Sequence, residues 1–484
     1  MFSFIIFLSV RENPYKCGLH VFKECITFAP MQTKLINKYN SPVPRYTSYP
    51  PANYFTKFAE EEYLSMVDKS NLAHQNQISF YLHIPFCRHL CHYCGCNSYP
   101  QAKPEVVKAY VDALHHEIDM VACHIDRNRQ ISQIHYGGGS PTALPVQMIR
   151  ELNEHLLSIA STIDRPEIAI ECHPGYLSER DWVQLTECGF TRYSLGVQDL
   201  HPEVLSVVNR RPSLLPVSQI LDILRASGAT VNLDFLYGLP LQTVESFRST
   251  IEQAAEWLPD RLVTFSYAHL PHLFPRQQVL DKVGLPLSSD KGRMYEVASE
   301  VLLEAGYQPI GLDHFVLPGD ELAVALNQGQ LHRNFQGYCT RRTTAQVYAF
   351  GVTAISQLDD AYAQNGRNIS EYIESIKAGR LYVQRGYHLS AQEKMVREVI
   401  ETLMCNYTLS WSDVASRLGV GVGELREACG YKEQQFLEMQ TDGLLRFDAD
   451  RIEVNTYGRP FVRCVAAALD PLMANTDKKY SKPI

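Results

Sequence analysis

The sequence predicts an α/β protein, an incomplete six-stranded parallel (β/α)6 barrel followed by a smaller, mostly helical C-terminal domain. Three observations predict it. Short β-rich apolar runs recur at residues 78–84, 131–136, 167–172, 192–197, 230–237 and 262–268. Between them lie segments of helical periodicity at 105–125, 145–160, 178–188, 214–227 and 244–257. After Gly306 this alternation stops, and from Ser390 to about Ala468 the pattern is mainly helical.

In chain order, residues 1–10 are apolar (MFSFIIFLSV), but no basic segment precedes them and no small-residue cleavage site follows. Residues 1–30 are therefore expected to be a disordered extension or a start-site artefact, with the mature protein beginning near Met31. Each of the six runs reads as a strand buried on both faces, and each spacer is long enough for a crossover helix. Crossovers of one hand force a parallel sheet with helices outside and gather ligands at the carboxyl ends of the strands. Beyond Gly306, loop-rich aromatic stretches such as GLDHFVLPGD and HRNFQGYCTRR precede the helical part. That part carries a short strand pair around residues 444–454 with a turn at 448–450. The expected division is 1–30 extension, 31–75 a segment closing over the site, 76–310 the barrel, 311–385 a capping extension and 386–484 the C-terminal domain.

The chain has 484 residues, 45% hydrophobic and 20% charged, an ordinary globular composition. Its net charge of −8 argues against binding nucleic acid through phosphate neutralisation. No apolar run approaches the ~20 residues of a membrane span. Of thirteen cysteines, four crowd into YLHIPFCRHLCHYCGCN as Cys87, Cys91, Cys94 and Cys96. Thiolates are soft ligands for zinc or iron–sulfur. A structural zinc site usually draws two Cys pairs from separate segments, whereas three thiolates spaced C-x3-C-x2-C on one loop suit three corners of a cubane and leave the fourth iron open. A zinc knuckle or unliganded buried cysteines are the alternatives. Cys123, Cys188, Cys405 and Cys464 sit on helical faces and read as core residues.

This loop after the first strand resembles the radical S-adenosylmethionine superfamily. With PRYTSYP before it and HYGGGSPTAL, YSLGVQDL, VVNRR, NLDFLYGLPLQT, FSYAHLP, GLDHF, LHRNFQGY and GVTAIS after it, the chain from Leu35 to about Asp470 resembles the oxygen-independent coproporphyrinogen III oxidases. The resemblance implies a radical-SAM barrel, one 4Fe–4S cluster on Cys87, Cys91 and Cys94, and two molecules of S-adenosylmethionine. Tyr81, Gly138, Glu171 and Ile355 are implied contacts to the first. Tyr93, Gly139, Ser140, Gln198, Arg210, Asp234 and Ala268 are implied contacts to the second, with Ser140 where threonine is usual and Tyr93 where phenylalanine is common. The implied reaction is oxidative decarboxylation of two propionates of coproporphyrinogen III to vinyl groups, giving protoporphyrinogen IX in haem biosynthesis. Its partners would be an electron donor such as flavodoxin or ferredoxin and an unidentified acceptor; a cytoplasmic monomer is expected.

Alone, the glycines read equally as a tight turn, Glu171 also as a salt-bridge partner, and Arg210 also as a solvated helix-end charge. Arg45, Tyr46, His332, Arg333 and Gln336 are candidates for the active-site rim. Arg341 and Arg342 place positive charge near the expected mouth, suited to a tetracarboxylate, or form a solvent-facing pair. Other readings are a haem-trafficking chaperone of the same superfamily, a radical enzyme acting on another tetrapyrrole, and a non-catalytic metal-binding protein. The chaperone-like relatives typically carry an aromatic residue where Cys96 stands.

Overall fold

A computed structural model describes residues 35, 38–72, 76–344 and 346–480 of the chain, so the expectation for residues 1–30 lies outside the described residues. The six predicted runs fall in six strands, β1 (Gln77–Ile84), β2 (Gln130–Gly138), β3 (Thr162–Cys172), β4 (Arg192–Gln198), β5 (Thr230–Tyr237) and β6 (Arg261–Ser266). They pair in chain order and in parallel. The predicted spacers fold as α1 (Pro104–Ala122), α2 (Val146–Leu157), α3 (Glu179–Thr186), α4 (Val217–Ala226) and α5 (Val244–Glu256). Local chemistry sets their starts. Pro104 opens α1, and Ser178 with Asp181 and Thr243 with Ser246 form capping boxes on α3 and α5.

The strands differ from expectation on one face. Ile78, Phe80, Leu82, Ile134, Ile168, Ile170, Tyr193, Leu195, Val231 and Leu233 are buried in the main apolar core. The alternate residues are polar and bond to one another across the strands. Gln133 donates to Glu167, Arg192 pairs with Glu167, and Ser194 donates to Asp234. A strand has period two, so only the helix-covered face must be apolar. The other face is buried but hydrophilic.

The sheet also extends beyond six strands. At one edge β6 pairs with an antiparallel hairpin of β7 (Gln308–Ile310) and β8 (His314–Val316). A second hairpin, β9 (Leu331–Asn334) and β10 (Gly337–Thr340), stands apart. At the other edge β11 (Gln346–Phe350) runs parallel to β1, and β12 (Ile355–Gln357), β13 (Ala361–Asn365) and β14 (Val383–His388) follow antiparallel. With Thr56–Lys57 beside β14 the sheet has, among the described residues, thirteen strands in an open order.

The C-terminal part is mainly helical as expected, and it carries the predicted strand pair as Leu445–Phe447 and Arg451–Val454, joined by Thr408–Ser410. Its core includes Trp411, Phe436 and Phe461 together with Tyr39, Val43, Tyr46 and Tyr49 from the N-terminal segment. Cys188, Cys405 and Cys464 are buried as expected; Cys123 is exposed, its thiol bonded to the Asp119 carbonyl at the end of α1. Among the described residues no helix is long and apolar enough to cross a membrane.

Candidate active site

The thiol loop leaves β1 at its carboxyl end and is seated on the glycines that end β2. A Cβ on Gly137 would meet the Glu171 carboxylate at 2.8 Å, one on Gly138 (φ +112°) the His83 ring at 2.7 Å, and one on Gly139 the Pro85 and Phe86 backbone at 2.9 Å. At Gly139 the close approach to backbone, and at Gly138 the positive φ beside the His83 ring, require glycine. The Gly139 and Ser140 amides donate to the Ile84 and Phe86 carbonyls at 2.8 and 2.9 Å, and the Gly138 amide donates to Glu171. These amides hold the loop. The Ser140 hydroxyl is buried against Thr142 at 3.2 Å.

Cys91 is buried, and Cys87 and Cys94 are half-buried. Burial, then the neighbouring Cys94 and Cys91 sulfurs, pushes the Cys87 thiol up to about 12. Cys94 moves down to about 6 because the Cys96 thiol and amide bond to it, the amide at 3.4 Å, against the effect of burial. Arg210 Nη1 donates to Cys91 Sγ at 3.5 Å. Among the described residues no three Cys, His, Asp or Glu side chains converge as for a single metal ion. Three thiols on one loop, electrostatically coupled to one another and with a guanidinium beside Cys91, are a soft donor set that fits an iron–sulfur cluster.

Tyr81, Glu171, Ile355 and Gln336 line one cleft of about 490 Å³ beside the loop, whose Gly95 and Asn97 also face it. The Tyr81 ring stacks on His135 at 5.9 Å, and its hydroxyl lies 3.3 Å from His83 Nδ1. Glu171 is half-exposed and lies 3.1 Å from His135 Nε2. Burial would raise its carboxyl, but the His135 bond and charge, with His83 and the Gly138 amide, hold it below the usual range. Glu171 is therefore both a salt-bridge partner and a cleft residue. Asn97 Nδ2 and Gln336 Oε1 are buried without a partner among the described residues. Such a polar, incompletely paired wall fits a polar organic ligand.

Of the positions expected at the second cofactor, Gln198, Arg210 and Asp234 lie together on β4 and β5 and beside them. Gln198 (φ +73°) sits at a register shift between the two strands. Arg210 Nη2 donates to the Gly196 carbonyl, and Gly196 stands opposite Asp234. Half-buried and bonded to chain atoms, Arg210 is not a solvated helix-end charge. The Asp234 carboxylate accepts from Ser194 Oγ at 2.8 Å and Asn232 Nδ2 at 2.7 Å, yet burial still pushes it up to about 6. Gln277 Nε2 ties the Tyr93 and Ala268 carbonyls together at 2.8 and 3.2 Å.

The rim candidates divide. Gln336 reaches the cleft. Arg45 is exposed and, with Arg333, lies within electrostatic reach of Asp313. Arg333 also lies 5.0 Å from the centre of the Tyr338 ring. Tyr46 is not a rim residue: it is buried and donates to Asp470 at 2.9 Å, because the N-terminal segment completes the C-terminal core. His332 is likewise buried, 3.8 Å from Glu401, and burial pushes it down to about 4. Arg341 and Arg342 are away from the mouth. β11 runs parallel to β1, so the residues before it lie at the amino ends of the strands. There Arg341 pairs with Glu398 at 2.6 Å, and Arg342 bonds Glu321 and the Asp164 and Arg165 carbonyls. Thr353, Asn365, Arg367, Gln384 and Arg385 line the cleft and were missed. Thr353 lies within GVTAIS and was legible there; the others belong to β13, β14 and the start of the helical segment between them, which carry no motif.

This α/β frame with its three-thiol loop defines a radical S-adenosylmethionine enzyme, and residues 81–254 match the Radical SAM superfamily model. The chain is 35% identical to the oxygen-independent coproporphyrinogen III oxidase of Synechocystis sp. over 92% of its length and 96% of the relative's. It is 37% identical to that of Escherichia coli over 90% of its length and 94% of the relative's. The solved structure of the coproporphyrinogen III oxidase from Escherichia coli, a radical SAM enzyme, aligns with TM-score 0.82 and 35% identity, covering 90% of this chain and 98% of that one. The chain belongs to the oxygen-independent coproporphyrinogen III oxidase family. It is a radical SAM oxidoreductase whose cofactors are a 4Fe–4S cluster and S-adenosylmethionine.

Proposed function

We propose that the chain converts coproporphyrinogen III to protoporphyrinogen IX without oxygen, by oxidative decarboxylation of two propionates. The observation that carries this reading is the convergence of Tyr81, Glu171 and Ile355 on one cleft beside the thiol loop. Cys87, Cys91 and Cys94 would hold the cluster, which when bound with S-adenosylmethionine supplies the radical that removes a propionate β-hydrogen. Loss of carbon dioxide and one electron to an acceptor then leaves a vinyl group. Glu171, kept ionised by His135, accepts a ribose hydroxyl; Tyr81 and Ile355 pack the cofactor, and Gly138 fixes Glu171. Gln198, Arg210, Asp234, Tyr93, Gly139, Ser140 and Ala268 surround a second molecule of S-adenosylmethionine. Arg367 and Arg385, on the cleft wall, supply the positive charge that propionates need.

In the same reading β1–β6 form the incomplete six-stranded barrel. Residues 76–310 are its domain, 311–385 cap it, and 386–484 form the C-terminal domain, onto which part of the 31–75 segment folds. The protein works as a cytoplasmic monomer with an acidic one-electron donor and a separate acceptor. Anaerobic turnover of coproporphyrinogen III with reductant and S-adenosylmethionine tests the reading. It expects carbon dioxide and a divinyl product; full cluster content without either refutes it.

A further inference from the structure

Arg88 and His89 lie inside the thiol loop, between Cys87 and Cys91, and both are exposed. Tyr176, in the turn after β3, gathers them with a second arginine. The guanidinium carbons of Arg88 and Arg211 each lie 5.4 Å from the centre of its ring. The Tyr176 hydroxyl shares a 2.7 Å hydrogen bond with His89 Nδ1, and the two rings stack at 5.8 Å and 6°. Cation–π contact of this kind restrains long basic side chains before any partner arrives. Among the described residues no ion pair engages Arg88 or Arg211. Leu214, bound through its amide to the Pro174 carbonyl, adds an apolar side chain that is 48% exposed. The result is a positive face with an aromatic and an aliphatic centre on a chain whose net charge is −8. Arginine and tyrosine around a small apolar centre are the residues that interfaces favour.

The face adjoins the thiols. Arg210, next to Arg211, donates to Cys91 Sγ, and Tyr176 lies within electrostatic reach of the same sulfur. We propose that the Arg88–Tyr176–Arg211 face docks the reductant, an acidic protein that carries one electron at a time. Carboxylates of such a carrier pair with both guanidinium forks, which brings its redox centre against the surface of the loop. One electron leaves the carrier and enters the cluster, and no atom is transferred. The proposal rests on the radical reading of the thiol loop.

The test uses the full chain loaded with its cluster, and a purified acidic flavodoxin as probe. Its affinity is measured by anaerobic calorimetry at low and physiological ionic strength, for wild type, Arg88→Glu/Arg211→Glu and Arg211→Glu alone. Iron and sulfide content and turnover driven by dithionite are measured alongside. Wild-type binding should weaken as salt is raised, and the double variant should bind about tenfold more weakly or worse. Iron content and dithionite-driven turnover should be unchanged. Arg211→Glu lies off the thiol loop and should weaken binding in the same direction, so a cluster defect in the double variant does not hide the result. Equal affinity and equal salt dependence in all three proteins would overturn the proposal. So would an unchanged carrier affinity with a raised KM for coproporphyrinogen III, which would make the face a substrate site. Absence of dithionite-driven turnover in every protein would refute the radical reading instead, since docking is read from binding alone.

Discussion

Glu167 and Glu171 stand on the same polar face of β3, and their surroundings separate the two ends of that face. Glu167 is 5% exposed in its side chain, paired with Arg192 at 3.1 Å and bonded to Gln133 at 2.7 Å. Arg261, itself paired with Asp320 at 2.7 Å, also bears on it. Glu171 is 44% exposed in its side chain, has His135 as its side-chain partner, and borders the cleft. At the amino end the charges are closed on one another. At the carboxyl end they are left available, beside Asn97 and Gln336 atoms that have no partner among the described residues. One end of the face supports the other. A strand can carry both roles because its rise separates them while its period keeps them in line.

The largest effect belongs to the thiols at the open end. Replacing Cys87, Cys91 or Cys94 by serine should remove the cluster and all cleavage of S-adenosylmethionine, read as iron and sulfide content and methionine release. Cys96→Ser should keep the iron, and its loss would show that the three-ligand assignment is wrong.

Next comes the closed end. Glu167→Gln leaves Arg192 without its carboxylate, and breaking a buried ion pair costs about 3–5 kcal/mol. The thermal midpoint should fall sharply. Glu167→Gln should also flatten the acid limb of stability. The Glu167 carboxyl is opposed by burial, yet Arg192 and Arg261 hold it down at about 2. The unfolded value is ~4.3, so its contribution is present above that value and lost as pH falls towards 2. A variant with an unchanged midpoint and an unchanged acid limb would dissolve the contrast between the two ends.

Asp234→Asn should be milder and of opposite sign for stability. Burial raises this carboxyl to about 6, so its contribution is present below an unfolded ~3.9 and lost as pH rises through 6. Above pH 6 the variant should therefore melt higher than wild type while binding one equivalent of S-adenosylmethionine instead of two. Asp234 is a cleaner probe of the second cofactor than Arg210, whose bond to Cys91 couples it to the cluster loop. Smallest of all is Arg342→Ala. This half-exposed ion pair with Glu321 is worth about 0–1 kcal/mol, and the KM for coproporphyrinogen III should not move. A raised KM would return Arg342 to the substrate site.

The six parallel strands and five crossover helices were legible because period and length coincide in those segments, and the cysteine spacing made the loop legible too. The polar face was partly hidden. The run EIAIEC reads as an apolar strand, although its two glutamates mark the inward positions that hold the ion network and the cleft. β11 went unread because QVYAF sits in a stretch dominated by aromatic loops, and its parallel partner β1 is far away in sequence. Missing it put Arg341 and Arg342 at the wrong end of the sheet. Tyr46 was misplaced for a similar reason, since its Asp470 partner lies at the opposite end of the chain.

Equilibrium binding of S-adenosylmethionine to the cluster-loaded Glu171→Gln protein, compared with wild type, tests most directly whether the open end is where the cofactor sits. Losing a hydrogen bond to a charged acceptor costs about 1.5–3 kcal/mol, so affinity should fall roughly tenfold or more. Iron content and thermal midpoint should stay close to wild type, because Glu171 is half-exposed and outside the closed network. Wild-type affinity in that variant would contradict the account.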